Sequence, residues 1–202
     1  MSTARGNLEA MKNPNDQNTI FIESRTKAYS NSIYDVYIDD ICDNYGNGVK
    51  GYVSVEARVT RSDLVTGVCV LPYQEDTYGL INVFRHPLGR SSYEAVKGHV
   101  ELGETLVKSA RRELLEESGF DCNHERLRKI GVVAPEGGLF KGRTALFLAD
   151  VGDLHQTDRS IEVGHCDFTF FQASEIEQMI KAMSIEDATT VVVLLRALKN
   201  IE

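Results

Sequence analysis

The chain opens on strand-like patterning. Thr19–Ser24 (TIFIES), Ser32–Asp39 (SIYDVYID) and Val49–Arg58 (VKGYVSVEAR) are rich in β-branched and aromatic residues, with the turn-forming DNYGNG of Asp43–Gly48 between the second and third. They predict a small antiparallel sheet. Three short strands bury little by themselves, so they are expected to pack on the rest of the chain or on a second subunit. From Leu64 the pattern changes to near-continuous apolar runs. Val65–Pro72 (VTGVCVLP) and Tyr78–Phe84 (YGLINVF) flank a QEDT turn and read as a hairpin of buried central strands. Leu127–Ala134, Thr144–Val151 and Ile161–Phe171 are further expected strands, and the polar segment Gly152–Ser160 is a loop. Between them the period becomes helical. Leu106, Ala110 and Leu114 recur every four residues, Thr105 can cap the start, and Gly119 suits a left-handed end. Two later helices are expected. One is capped by Ser174 with Glu177 completing a capping box, and one begins at Asp187 with a Val/Leu-rich face for the sheet.

Composition narrows the class. The 202 residues are 42% hydrophobic and 26% charged, ordinary for one globular domain and a little more. Residues 1–18 are polar and are expected to form a flexible arm. The net charge of −8 argues against a nucleic-acid or anionic-membrane partner. No apolar run approaches the ~20 residues of a membrane span, and no signal-peptide core is present, so a cytoplasmic location is expected. Cys42, Cys69, Cys122 and Cys166 are scattered without zinc-site spacing and are expected to be free thiols.

Charge changes the reading of one helix. Glu113, Glu116 and Glu117 stand at i, i+3 and i+4, so three carboxylates share one side. Like charges at these spacings cost roughly 0.2–0.5 kcal/mol per pair. Arg112 relieves part of this through its i, i+4 relation to Glu116, and a divalent cation would relieve more. Carboxylate oxygens select hard cations such as Mg²⁺ or Mn²⁺.

The segment Gly98–Phe120, GHVELGETLVKSARRELLEESGF, resembles the Nudix box. Gly98, Glu104, Arg112, Glu113, Glu116, Glu117 and Gly119 occupy its fixed positions, Leu114 and Phe120 its apolar ones, and Phe120 is bulkier than usual. Chance would produce such a match on the order of once in 10⁹ windows. The resemblance implies a Nudix fold: an α/β/α sandwich around a mixed sheet, here preceded by the small antiparallel sheet. It implies cleavage of a nucleoside diphosphate linked to another group. It also implies that Glu113 and Glu117 bind metal most directly, with Glu116 sharing in this and the carbonyl of Lys97 as a backbone ligand. Arg112 would orient the glutamates, and Glu104 would hold the loop or Arg112.

A second segment is similar to the branch acting on ADP-ribose and related sugar nucleotides. Phe84, Arg85, Pro87, Tyr93 and Glu94 stand where that branch has an aromatic-Arg-x-Pro element and an aromatic-Glu pair, with Tyr93 in place of the usual tryptophan. Pro135, fifteen residues past the box, also fits. The resemblance implies that Arg85 and Arg143 contact phosphate or ribose and Glu94 a sugar hydroxyl. It implies a homodimer, while the patterning itself gives the expected division into an arm 1–18, a β-sheet subdomain 19–58 expected to dimerise, and a catalytic domain 59–202. The general base is expected at Glu162, with Asp153, Asp158 and Glu116 as alternatives. Alternative functions are hydrolysis of another nucleotide, such as a dinucleoside polyphosphate, coenzyme or oxidised nucleotide, or ligand sensing without catalysis.

Overall fold

The computed structural model describes residues 19–160 and 162–199. The expected arm, residues 1–18, and Ile161 lie outside them. The chain divides into two compact units. The first comprises the described residues up to Arg58 together with Glu136–Lys141, and the second Val59–Pro135 with the rest from Gly142.

The first unit is a four-stranded sheet, ordered β1 (Ile20–Ser30), β2 (Tyr34–Asp43), β3 (Gly48–Ala57), β9 (Phe140–Lys141). β1, β2 and β3 pair antiparallel, and the two-residue β9 adds in parallel to β3. Asp43 closes the β2–β3 turn by accepting from the backbone N–H groups of Tyr45 and Asn47. Charge occupies the centre of this sheet. Asp39 is buried and takes a forked pair of hydrogen bonds from Arg25 at 2.8 Å, and Arg25 also reaches Glu56 at 2.7 Å.

The second unit is built on a mixed sheet ordered β11 (His165–Gln172), β5 (Thr77–Arg85), β4 (Val65–Gln74), β10 (Arg143–Asp150), β8 (Leu127–Val133). β6 (Arg90–Glu94) pairs with β5, and β7 (Val96–His99) with β4. β4 and β10 are parallel. Alternate residues of the central strands enter two apolar layers, as a sheet buried on both faces requires. Val68, Val70, Ile81, Val83 and Phe147 join α1 (Leu106–Ser118) through Ala110 and Leu114. Cys69, Leu71, Leu80, Leu146 and Leu148 join α2 (Ala173–Lys181) and α3 (Ala188–Leu198) through Ile176, Val193 and Leu194. The result is the expected α/β/α sandwich. Among the described residues no helix is long and apolar enough to cross a membrane.

Several boundaries differ from expectation: β1 runs on to Ser30 and β2 to Asp43, past the expected Ser24 and Asp39, and two later boundaries have a specific cause. β11 begins at His165, because Gly164 takes φ +90 and its carbonyl accepts from the Phe84 N–H at 2.8 Å, turning the chain just before the strand. α2 starts directly from β11 with Gln172 as its cap residue instead of Ser174, and the Glu175 carboxylate accepts the Gln172 N–H at 2.7 Å. α3 begins as expected, with Asp187 accepting from the Thr190 N–H.

Candidate active site

The site is set by how α1 lies against β7. Thr105 caps α1 by accepting from the Lys108 N–H, and Gly119 ends it at φ +78. Ala110 and Leu114 turn inward to the core, which carries Glu113 and Glu117 below the surface at 5% and 4% exposure. Gly98 on β7 makes room for this: a Cβ there would overlap the Glu113 carboxylate. The next residue back, Lys97, donates its backbone N–H to Glu117 Oε2 at 3.1 Å. The box glycine therefore serves close approach of strand and carboxylate.

Arg112 gathers the remaining charges. Its guanidinium reaches Glu113 Oε1 at 2.7 Å, Glu104 Oε2 at 3.1 Å and Glu116 Oε2 at 3.2 Å, and donates to the His99 carbonyl at 2.8 Å. Burial works against ionisation of Glu104. Hydrogen bonds from Arg112 and from the Ser109 hydroxyl at 2.7 Å overcome it and hold the carboxyl down at about 2. The deeper pair behaves oppositely. Burial pushes the Glu117 carboxyl up to about 8 despite the Lys97 N–H, and burial also raises Glu113 against the pull of Arg112. Two buried carboxyls that resist ionisation, beside a strand backbone that approaches without a side chain, fit a divalent cation. Such an ion would make their charged forms favourable.

The polar loop Gly152–Ser160 is anchored to the C-terminal end of this helix. The N–H groups of Thr157 and Ser160 donate to the carbonyls of Gly119 and Glu116 at 2.8 and 2.7 Å, and the Gln156 amide donates to the Ser118 carbonyl at 2.7 Å. These bonds satisfy carbonyls that a helix end leaves without partners. A Cβ at Gly119 would collide with the Thr157 carbonyl, so this glycine serves both the left-handed turn and the docking of the loop. The loop delivers Glu162, exposed, to the box. One ligand atom each from Glu117, Glu162 and His165 lie within 4.8 Å of one another. Asp153 is instead paired with Arg126 at the surface, and Asp158 is exposed.

Arg85 and Glu94, both anticipated at the substrate end, are joined to each other. Arg85 makes a forked pair with the buried Glu94 at 2.9 and 2.7 Å. The Lys97 ammonium bridges Glu94 at 2.5 Å and Asp187 at 2.7 Å. Arg143 stands apart from these pairs, exposed at the first residue of β10. Sequence reasoning missed two members of this region. The Lys97 side chain was unmarked because only its carbonyl carried meaning, and Asp187 read simply as a helix cap. His165 was considered only beside Cys166. Its burial, which pushes its pKa down, arises from packing that no local pattern records.

Comparison with known proteins agrees with this geometry. The NUDIX domain family model matches residues 63–192. No curated protein matches the chain. A solved structure described as an ADP compounds hydrolase is similar in fold, with a TM-score of 0.72 at 19% identity over 89% of this chain and 92% of that one. With the box helix, its buried carboxylates and the family match covering most of the second unit, the chain belongs to the Nudix family of hydrolases.

Proposed function

We propose that the chain hydrolyses the pyrophosphate bond of ADP-ribose or another nucleoside diphosphate sugar, giving a nucleoside monophosphate and a sugar phosphate, with Mg²⁺ or Mn²⁺ as cofactor. The observation that carries the reaction is the buried Glu113–Glu117 pair facing Lys97 and Gly98. The choice of substrate is supported by the Arg85–Glu94 element and by the fold's likeness to a protein described as an ADP compounds hydrolase.

In this reading Glu113, Glu117, Glu116 and the Lys97 carbonyl hold the cation, which supplies Lewis acidity toward the pyrophosphate oxygens. Arg112 keeps three of the box carboxylates in place and so sets the site before substrate arrives. Arg85 is aimed by Glu94 and retains donors beyond the two that Glu94 accepts, which suits a phosphate or ribose oxygen. Glu94, already committed to Arg85 and Lys97, acts through Arg85 more than by touching sugar. Arg143 is an outer contact at most. Glu162 takes the proton of the attacking water. It is exposed and lies close to Glu117. A cytoplasmic location and a homodimer formed through residues 19–58 belong to the same proposal.

The test is a panel of ADP-ribose, other nucleoside diphosphate sugars, dinucleoside polyphosphates and coenzymes with Mg²⁺, followed by release of nucleoside monophosphate. Fastest turnover of a nucleoside diphosphate sugar, abolished by EDTA, is expected. Preference for a dinucleoside polyphosphate or a coenzyme would overturn the substrate assignment.

A further inference from the structure

One buried polar atom beside the box has no hydrogen-bond partner: His165 Nδ1. The side chain is more than nine-tenths buried, at 8% exposure, and an unsatisfied nitrogen in such a place is costly. The ring is wedged between two carboxylates. Nδ1 lies 3.7 Å from Glu117 Oε1, and Nε2 lies 4.0 Å from Glu162 Oε2. Both separations are too long for a hydrogen bond. Two donors that share a cation, each about 2.1 Å from it, stand about 3–4 Å apart, and the Nδ1–Glu117 gap falls in that range.

The backbone holds the ring in this position. Gly164 turns at φ +90 and its carbonyl is tied to the Phe84 N–H, while the His165 N–H donates to the Glu162 carbonyl at 3.0 Å. The imidazole therefore starts β11 at a fixed place beside the C-terminal turn of the box helix.

Building on the metal-dependent reading above, we propose that His165 is a nitrogen ligand of the cation held at Glu117, bound through Nδ1, with its Nε2–H on the side of Glu162. A neutral imidazole has one acceptor nitrogen and one N–H, so the two roles are compatible in a single tautomer. A ligating histidine commonly gives its other N–H to a carboxylate, which fixes the ring and its partner together. The mixed donor set shifts preference from Mg²⁺, which favours oxygen ligands, toward Mn²⁺.

The test uses the full chain loaded with Mn²⁺ alone. Electron-spin-echo envelope modulation is expected to show directly coordinated ¹⁴N, lost in His165→Gln and retained in His99→Gln. Calorimetry is expected to show Mn²⁺ affinity falling about 10–100-fold in His165→Gln while Mg²⁺ affinity changes less than about threefold. His165→Phe, which fills the same volume, is the second variant if the first does not fold. Bound Mn²⁺ without ¹⁴N coupling in the unaltered chain, or coupling that survives removal of His165, overturns this proposal and leaves the carboxylate site standing. Failure of Mn²⁺ to bind at all, with Glu117→Gln indistinguishable from the unaltered chain, overturns both.

Discussion

The two units of this chain are stabilised in contrasting ways. In the second unit the interior is apolar, and the buried charges, Glu94, Glu104, Glu113 and Glu117, are concentrated at the candidate active site. In the first, Asp39 and Ala57 are the buried residues among those described, and the sheet centre is the Arg25–Asp39–Glu56 cluster. Ile20, Phe21, Ile38, Val49 and Val53 stay exposed on it. One carboxylate from each unit shows the contrast, and the two respond to acid in opposite senses. Asp39 is held below its ordinary pKa, first by its hydrogen bonds from Arg25, so its contribution is present above that value and is lost as pH falls through the folded one. Glu117 is pushed up to about 8 from an ordinary 4.5, so its contribution is complete below 4.5 and is lost progressively as pH rises toward 8. A structural carboxylate is placed where its charge is satisfied. A carboxylate buried without such a partner resists ionisation.

The largest effect is expected at Glu117. Glu117→Gln should lower kcat by about 10⁴-fold or more, because the loss falls on stabilisation of transition-state charge. The same change should raise the melting temperature of the protein in EDTA at pH 8 and flatten its dependence on pH between 5 and 8. A variant of near-normal rate, or one less stable than the original in EDTA at pH 8, would break the contrast. Next comes Glu162→Gln, expected to cut kcat by about 10²–10⁴-fold and to flatten the acidic limb of the pH–rate profile while Mn²⁺ still binds. Retention of most of the rate would move the base to Asp153, Asp158 or Glu116.

Stability variants sharpen the comparison at smaller magnitude. Leu114→Ala, at a fully buried position of the box helix, should cost about 2–5 kcal/mol. Asp39→Ala leaves Arg25 without its main partner and should cost about 1–3 kcal/mol, with the difference from the unaltered chain shrinking as pH falls below the ordinary carboxylate value. Denaturant titrations at pH 7 and pH 3 measure both, and an Asp39→Ala penalty undiminished at pH 3 would remove charge as its cause. Last, light scattering at micromolar concentration is expected to give the mass of a dimer, with Val53→Lys and Ile38→Lys favouring the monomer. A fully active monomer would refute the dimer assigned to the first unit.

Much of this was legible in local sequence because its causes are local. The box helix runs between Thr105 and Gly119 as its caps require, and the three-residue and four-residue spacings of Glu113, Glu116 and Glu117 follow from helical geometry alone. The strands at Val65 and Tyr78 were readable because burial on both faces demands continuous apolar residues. The late start of β11 was not, since Gly164 acts through the Phe84 N–H, a partner that only the folded sheet supplies, whereas the Gln172–Glu175 cap is local and was hidden by the similar spacing of Ser174 and Glu177. Nor was the excursion of Glu136–Lys141 into the first unit, which a linear pattern leaves as a loop.

The sequence by itself determined the family, the box helix and the identity of its carboxylates, because these depend on spacing along one element. Tertiary structure decided what each carboxylate experiences. Glu104 and Glu117 are the same residue type on one short segment, yet one is held at about 2 and the other pushed up to about 8. The difference lies in hydrogen bonds from Arg112 and Ser109 on one side, and in deeper burial with repulsion from Glu113 and Glu162 on the other. Protonation depends on solvent and neighbouring charge, and these are set by segments distant along the chain.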